Sequence, residues 1–165
     1  MEKLTIRKSV FDDLERLTDV YNQAIRSGHC TCDTRELTAE ERREWFYSHE
    51  NDRFPLYTCL FGGEIIGYVS LSPYKQREAL KDVAEVTYYL DFSYRGRTFG
   101  SQLLDFIMKE AEKLGFVAVI GVIIGCNTES AALLKKFGFE EWGRMPKIAS
   151  FGERHEDHVY FGKHI

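Results

Sequence analysis

Leu14, Leu17, Val20, Tyr21, Ala24 and Ile25 recur at intervals of three and four with charged residues between them, which predicts an amphipathic helix over residues 12–26. Ser9 is the expected N-cap and Ser27-Gly28 the stop. Residues 4–7 alternate as a first strand. Thr38 to Glu41 has the reciprocal capping-box pattern and predicts a second helix to about residue 49. The pattern then changes to strands over 56–61 and 64–71, which flank the tight Gly62-Gly63 hairpin loop. A basic loop over 72–81 leads to a strand over 83–91. Leu103, Leu104, Ile107, Met108 and Ala111 mark one face of a helix over 101–114, stopped by Gly115. Residues 116–124 are uninterrupted and β-branched, as in a strand buried on both faces. A short helix over 130–136 stops at Gly138, and residues 139–142 and 158–161 supply late strands. The strand–helix–strand crossover over 83–124, among mixed elements, predicts one α/β domain over residues 1–165 with a central mixed sheet.

Composition narrows this picture. At 44% hydrophobic the chain can bury a core, which excludes whole-chain disorder. The longest apolar run, 116–126, is too short and glycine-broken to span a bilayer, and no signal-peptide pattern opens the chain. Twenty-two basic against 26 acidic residues leave a charge of −4, which argues against a nucleic-acid partner. Cys30, Cys32, Cys59 and Cys126 form no CxxC and no zinc spacing with the histidines. Reduced thiols in a cytoplasmic protein without a metal are expected. His155 and His158, at i and i+3, are read as local hydrogen-bonding or dimer-contact residues. Trp45, Phe46 and Tyr47 are read as core and interface.

The chemistry concentrates in two segments. Tyr94-Arg95-Gly96-Arg97-Thr98-Phe99-Gly100-Ser101 lies between a predicted strand and a predicted helix. Small residues there let backbone N–H groups reach an anion, and the helix N-terminus adds positive potential. The pattern is neither a Walker loop nor GxGxxG. Downstream stands Asn127-Thr-Glu-Ser130-Ala-Ala-Leu133-Leu-Lys-Lys136-Phe-Gly138-Phe139. Together they resemble the acyl-CoA-binding motifs of the GNAT superfamily of N-acetyltransferases, [R/Q]xxGx[G/A] and NxxSxxLxxKxGF. Pro73 to Ala79, Ala84 to Leu90, the early Tyr21 to Ile25 and Thr38 to Phe46, and the tail from Gly143 to Asp157 are similar to its phosphinothricin/methionine-sulfone acetyltransferase branch.

The resemblance implies the GNAT fold: an α/β domain whose central mixed, mostly antiparallel sheet opens into a V between two parallel strands, flanked by helices. It implies acetyl-CoA as co-substrate and a small amine, an amino acid or analogue, as acceptor. The pantetheine arm would pair with the strand at Tyr88, Tyr89 and Leu90. The pyrophosphate would sit on backbone N–H groups of Gly96, Arg97, Thr98, Phe99, Gly100 and Ser101, beside Arg95. Asn127 would hydrogen-bond the pantetheine amide region, and Lys136 completes the second motif. A backbone N–H of the opened strand would stabilise the oxyanion. Glu85 is the matched position for the general base, and burial on an apolar strand should raise its pKa. Lys75 and Arg77 would clamp a substrate carboxylate. A homodimer is expected by the same resemblance.

Several positions depart from the family pattern. Thr98 replaces the first glycine of the phosphate turn, where a β-branched residue tolerates positive φ poorly. Leu134 stands where many members carry a Tyr that protonates the leaving thiolate. Cys32, Thr34, Arg35, Glu36 and Leu80 depart along the expected substrate wall. Two other readings stay open: another acceptor (a polyamine, an antibiotic, a protein N-terminus), or an acyl-CoA-binding module without catalysis.

Overall fold

The computed structural model describes residues 3–165. Along the chain come β1 (Thr5–Lys8), α1 (Leu14–Ser27), α2 (Arg43–Tyr47), β2 (Leu56–Phe61), β3 (Glu64–Pro73) and β4 (Val83–Leu90). They are followed by α3 (Phe99–Lys113), β5 (Ala118–Ile124), α4 (Thr128–Lys136), β6 (Glu140–Phe151) and β7 (Arg154–His164). The strands form one seven-stranded sheet in the order β1-β2-β3-β4-β5-β7-β6. Every pair is antiparallel except β4–β5. Gly62 and Gly63, at φ 59° and 87°, close the β2–β3 hairpin in the conformation that such a two-residue loop requires. Among the described residues, no helix is long and apolar enough to cross a membrane.

The parallel pair is what makes a site. β4 and β5 are in register only at Val83–Ala118, Ala84–Val119 and Glu85–Ile120. Beyond Glu85, β4 stays paired with β3 as far as Leu90, and β5 stays paired with β7 as far as Ile124. Residues 86–90 and 121–124 therefore diverge, and the sheet opens into a V with Glu85 at its apex. The expected fold is the observed one.

Helices cover both faces of the sheet. On one face, Leu103, Leu104, Ile107 and Ala111 of α3 are fully buried against Val69, Leu71, Ala84 and Val119. On the other, Leu17 and Val20 of α1 pack with Phe46, Leu56 and Tyr68. Each such Leu or Ile contributes about 1.5–3 kcal/mol by leaving water. Successive residues of β4 divide between these layers, Tyr88 and Leu90 toward α3 and Tyr89 toward α1.

Local structure departs from the sequence expectations at three places. Ser9 does not cap α1. Its hydroxyl bonds Thr58 Oγ1 at 2.7 Å, and the Val10 N–H is taken by Asp13 Oδ2 at 3.0 Å in a 3₁₀ turn that leads into the helix. The capping box at residue 38 forms, with Thr38 N–H to Glu41 Oε2 at 2.8 Å and Glu41 N–H to Thr38 Oγ1 at 3.2 Å. It opens a turn, and regular helix spans only Arg43–Tyr47. The late strands are much longer than the apolar positions indicate, because most of β6 is exposed and lacks alternation. Its pairing with β7 breaks between Met145 and Ala149, where Pro146 cannot donate to the ladder and Lys147 takes φ 54°.

Candidate active site

The V is the entrance to a cleft of about 330 Å³ between β4, β5 and α4. Its walls include Glu85 to Leu90 of β4, Gly121 to Ile124 of β5, and the turn at Arg95, Gly96 and Arg97. Past Glu85, no strand among the described residues pairs with the edge of β4 that faces β5, so it can pair with an extended ligand chain.

The phosphate-type turn lies at the mouth of the cleft. Gly96 takes φ 74°, whereas Thr98 sits at φ −78° as the N-cap of α3. The substitution at 98 therefore costs no strain: the positive φ is carried two residues earlier. The first-turn N–H groups of α3 have no intrahelical acceptors. Phe99 is fully buried, so it offers only its backbone. The Arg95 guanidinium stacks 3.4 Å from the Phe92 ring centroid and lies 3.7 Å from Glu129 and 3.4 Å from Cys30 Sγ. Arg97 lies 5.4–5.6 Å from the rings of Phe61, Tyr94 and Phe99. Lys136 Nζ donates to Ser101 Oγ at 3.3 Å and brings a cation to the N-terminus of α3.

Behind this turn stands Asp91, nearly buried. It accepts from Arg16 at 2.6 Å, Gln23 at 2.9 Å and the Ser93 N–H at 2.8 Å. Burial opposes its ionisation, but the hydrogen bonds from Gln23, Arg16 and Ser93 outweigh it and hold the carboxyl at about 2. The turn is thus fastened to α1, a link that no sequence motif indicated.

Asn127 caps α4, its Oδ1 accepting from the Ser130 N–H at 3.2 Å. What it can offer a ligand is its amide N–H₂. Tyr88 lies across the cleft from α4, with its hydroxyl 3.2 Å from Ser130 Oγ. Burial pushes the phenol up to about 12, Ser130 partly offsetting it. Tyr89 turns to the other face, its ring edge-on to Tyr21 at 5.0 Å, and burial raises it well above the usual phenol range. Leu134 is almost fully buried, with its methyls about 3.1 Å from where a Cβ on Gly121 would lie.

Glu85 is half-buried at the apex of the V. Desolvation raises its carboxyl above the usual range, and the positive charge of Lys75 offsets this in part. The structure therefore brings Lys75 into the field of Glu85. Lys75 and Arg77 both line a separate groove, with Arg53, Lys81 and Asp82.

Sequence reasoning passed over several lining residues. Cys30 and Thr31 come from the loop after α1, next to Cys32 of the expected substrate wall, and His158 of β7 lines the cleft where a local or dimer contact was expected. Burial lowers the His158 imidazole below its usual range, and its ring lies 5.3 Å from Tyr160. The sequence placed His158 at the start of a late strand, with no local signal that its side chain faces the cleft. Ser130 was visible as a fixed position of the second motif. His155 bonds Ser150 locally at 3.0 Å. Among the described residues, no three His, Cys, Asp or Glu side chains converge on a metal-sized site.

Comparison with known proteins agrees with this arrangement. Residues 14–139 match the acetyltransferase (GNAT) family. A phosphinothricin N-acetyltransferase of Streptomyces coelicolor is 32% identical over 96% of this chain and 95% of its own. An L-methionine sulfoximine/L-methionine sulfone acetyltransferase of Pseudomonas paraeruginosa is 26% identical over 87% of this chain and 84% of its own. The solved structure of a GNAT superfamily phosphinothricin acetyltransferase from Sinorhizobium meliloti in complex with AcCoA superposes with a TM-score of 0.93. That protein is 28% identical, with 98% of this chain and 88% of the other covered. The family match across most of the chain, on a sheet that opens between β4 and β5, shows that this protein belongs to the GNAT family of acetyl-CoA-dependent N-acetyltransferases.

Proposed function

We propose that the protein transfers the acetyl group of acetyl-CoA to the primary amine of a small, amino-acid-like acceptor, with Glu85 as general base. The observation that carries this reading is the position of Glu85, a desolvated carboxylate at the apex of an opening whose unpaired strand edge suits the pantetheine arm. The relatives' names supply the acceptor class: phosphinothricin and the methionine derivatives are amino acids with a carboxylate beside the amine.

The pantetheine would extend along residues 88–90, with the Asn127 amide donating to it. The pyrophosphate would rest on the N–H groups of residues 96–101, where Arg95, Arg97 and Lys136 supply formal charge. The amine attacks the thioester carbonyl and forms a tetrahedral adduct. Glu85 accepts the ammonium proton, directly or through a water, and a backbone N–H of the opened strand stabilises the oxyanion. Holding both reactants in one cleft removes much of the entropic barrier to their encounter. Lys75, whose charge reaches Glu85, would draw in an acceptor carboxylate, with Arg77 beside it on the same groove.

CoA-thiol release tests the reading, with phosphinothricin, methionine sulfone and sulfoximine run beside common amino acids, polyamines and aminoglycosides. Release with a carboxylate-bearing amine, cut at least tenfold in Glu85→Gln, is the expected outcome. Release with polycations alone would remove the carboxylate acceptor from the reading. Silence throughout, with acetyl-CoA still bound, would favour a binding module.

A homodimer completes the proposal. β6 is an edge strand that exposes Trp142, Met145 and Ile148, an apolar strip of the kind that interfaces cover. Light scattering at the mass of two chains, reduced to one by Ile148→Glu, is the expected result.

A further inference from the structure

The reaction needs a second proton step. When the tetrahedral adduct collapses, the C–S bond breaks and sulfur leaves with the electron pair. An alkyl thiolate is a poor leaving group until it is hydrogen-bonded or protonated. The α4 position where the family resemblance implies a proton donor carries Leu134, whose methyls press against Gly121 and have no acidic proton. One turn earlier on the same helix stands Ser130, and Tyr88 meets it from β4 with the two oxygens 3.2 Å apart. Tyr88, Ser130, Leu134 and Gly121 all line the one cleft.

The geometry points to Tyr88 as the group that protonates the departing CoA thiolate, with Ser130 as its positioning and relay partner. The inference rests on the acetyl-transfer reading above. Tyr88 O–H donates to the sulfur as the C–S bond breaks, giving CoA thiol and a phenolate. The Ser130 hydroxyl donates to that phenolate and is itself reprotonated from water at the cleft mouth. The amine's proton leaves separately through Glu85, so the acid and base come from opposite faces of one strand. Residues 85 and 88 differ by an odd number of positions, and a strand sends such residues to opposite sides. Burial holds the phenol protonated throughout the working pH range, as a donor requires.

The test compares two donors in wild type, Tyr88→Phe and Ser130→Ala: acetyl-CoA, and its selenoester analogue, whose selenolate leaves without needing a proton. With acetyl-CoA, Tyr88→Phe should lower kcat by about 10²-fold, the lower end of general-acid contributions, while acetyl-CoA affinity stays within about threefold. With the selenoester that loss should shrink to within about threefold. Ser130→Ala, a good helix residue that leaves the fold intact, should show the same donor dependence at smaller size. A Tyr88→Phe enzyme with wild-type kcat overturns the assignment, and so does an equal loss with both donors, which marks a merely structural role. Wild-type protein that releases no CoA with any amine overturns the acetyl-transfer reading itself. Activity that survives Tyr88→Phe overturns this inference alone.

Discussion

Glu85→Gln should lower activity and raise stability in the same protein, with both effects tied to pH. Glu85 ionises at a cost, because burial raises its carboxyl above the value it has in the unfolded chain, and Lys75 offsets only part of that. For a group raised in this way, the stabilising contribution is present below the unfolded pKa and is lost as pH rises through the folded pKa. At neutral pH the wild-type fold therefore carries an ionised, incompletely compensated carboxylate. Glutamine has the same shape and no charge to desolvate. Each tenfold change in the ionisation constant corresponds to about 1.4 kcal/mol. In a chain of this size, about 1 kcal/mol moves Tm by about 2–4 °C. Glu85→Gln should therefore melt above wild type at pH 7.5, and the gap should close as pH falls below the ordinary carboxylate range, where both side chains are neutral.

The catalytic half runs the other way. The unprotonated carboxylate is the base, so wild-type kcat/KM should rise with pH through a limb above the ordinary carboxylate range, and Glu85→Gln should lack that limb. Removing a general base costs about 10²–10⁴-fold, and a cleft open to water keeps the expected loss at the low end, about 10²-fold. Differential scanning calorimetry at these two ends of the pH range and thiol release across it read both halves. A Glu85→Gln protein that melts with or below wild type at pH 7.5 would refute the desolvation argument, and an unchanged pH–rate profile would refute the base.

Three further outcomes follow from neighbouring residues. Lys75→Ala removes the charge that favours ionised Glu85, so the acid limb of kcat/KM should move to higher pH and KM for carboxylate-bearing amines should rise. Asp91→Ala leaves Arg16 and Gln23 without their acceptor at a nearly buried position. It should cost about 2–4 kcal/mol, less than a fully buried pair because Arg16 is partly exposed, and it should weaken acetyl-CoA binding measured by titration calorimetry. Because the Asp91 carboxyl is held at about 2, its contribution is complete above the ordinary carboxylate range and fades as pH falls toward 2. Thr98→Gly restores the family's glycine at a residue whose φ is −78°, so it should gain no acetyl-CoA affinity and should lose about 0.5–1 kcal/mol in thermal melts.

What the sequence disclosed, and what it withheld, follows from the range of the interactions involved. α1, α3 and the β2–β3 hairpin were legible because their signals are local: a repeat of three and four, or two glycines at positive φ. The phosphate turn and the N-terminus of α4 were legible for the same reason, since each motif is contiguous. Asp91 escaped notice because its partners lie 68 and 75 residues away on α1, and a lone Asp before a turn looks like any other. The strands β6 and β7 were underestimated because β6, at the sheet edge, and the first residues of β7 are exposed and leave little hydrophobic alternation to read. The opening of the sheet is the most telling case. Nothing in the composition of residues 83–90 or 118–124 says that they pair for three positions and then diverge. The divergence is set by their other neighbours, β3 and β7, which hold each strand along its outer edge while α3 and α4 cover the gap. It is the same divergence that leaves the edge of β4 unpaired, puts Glu85 at the floor and turns Tyr88 toward Ser130. A substitution that closes the V, such as one that lets residues 86–88 pair with 121–123, should abolish acetyl-CoA binding while preserving every residue of both motifs.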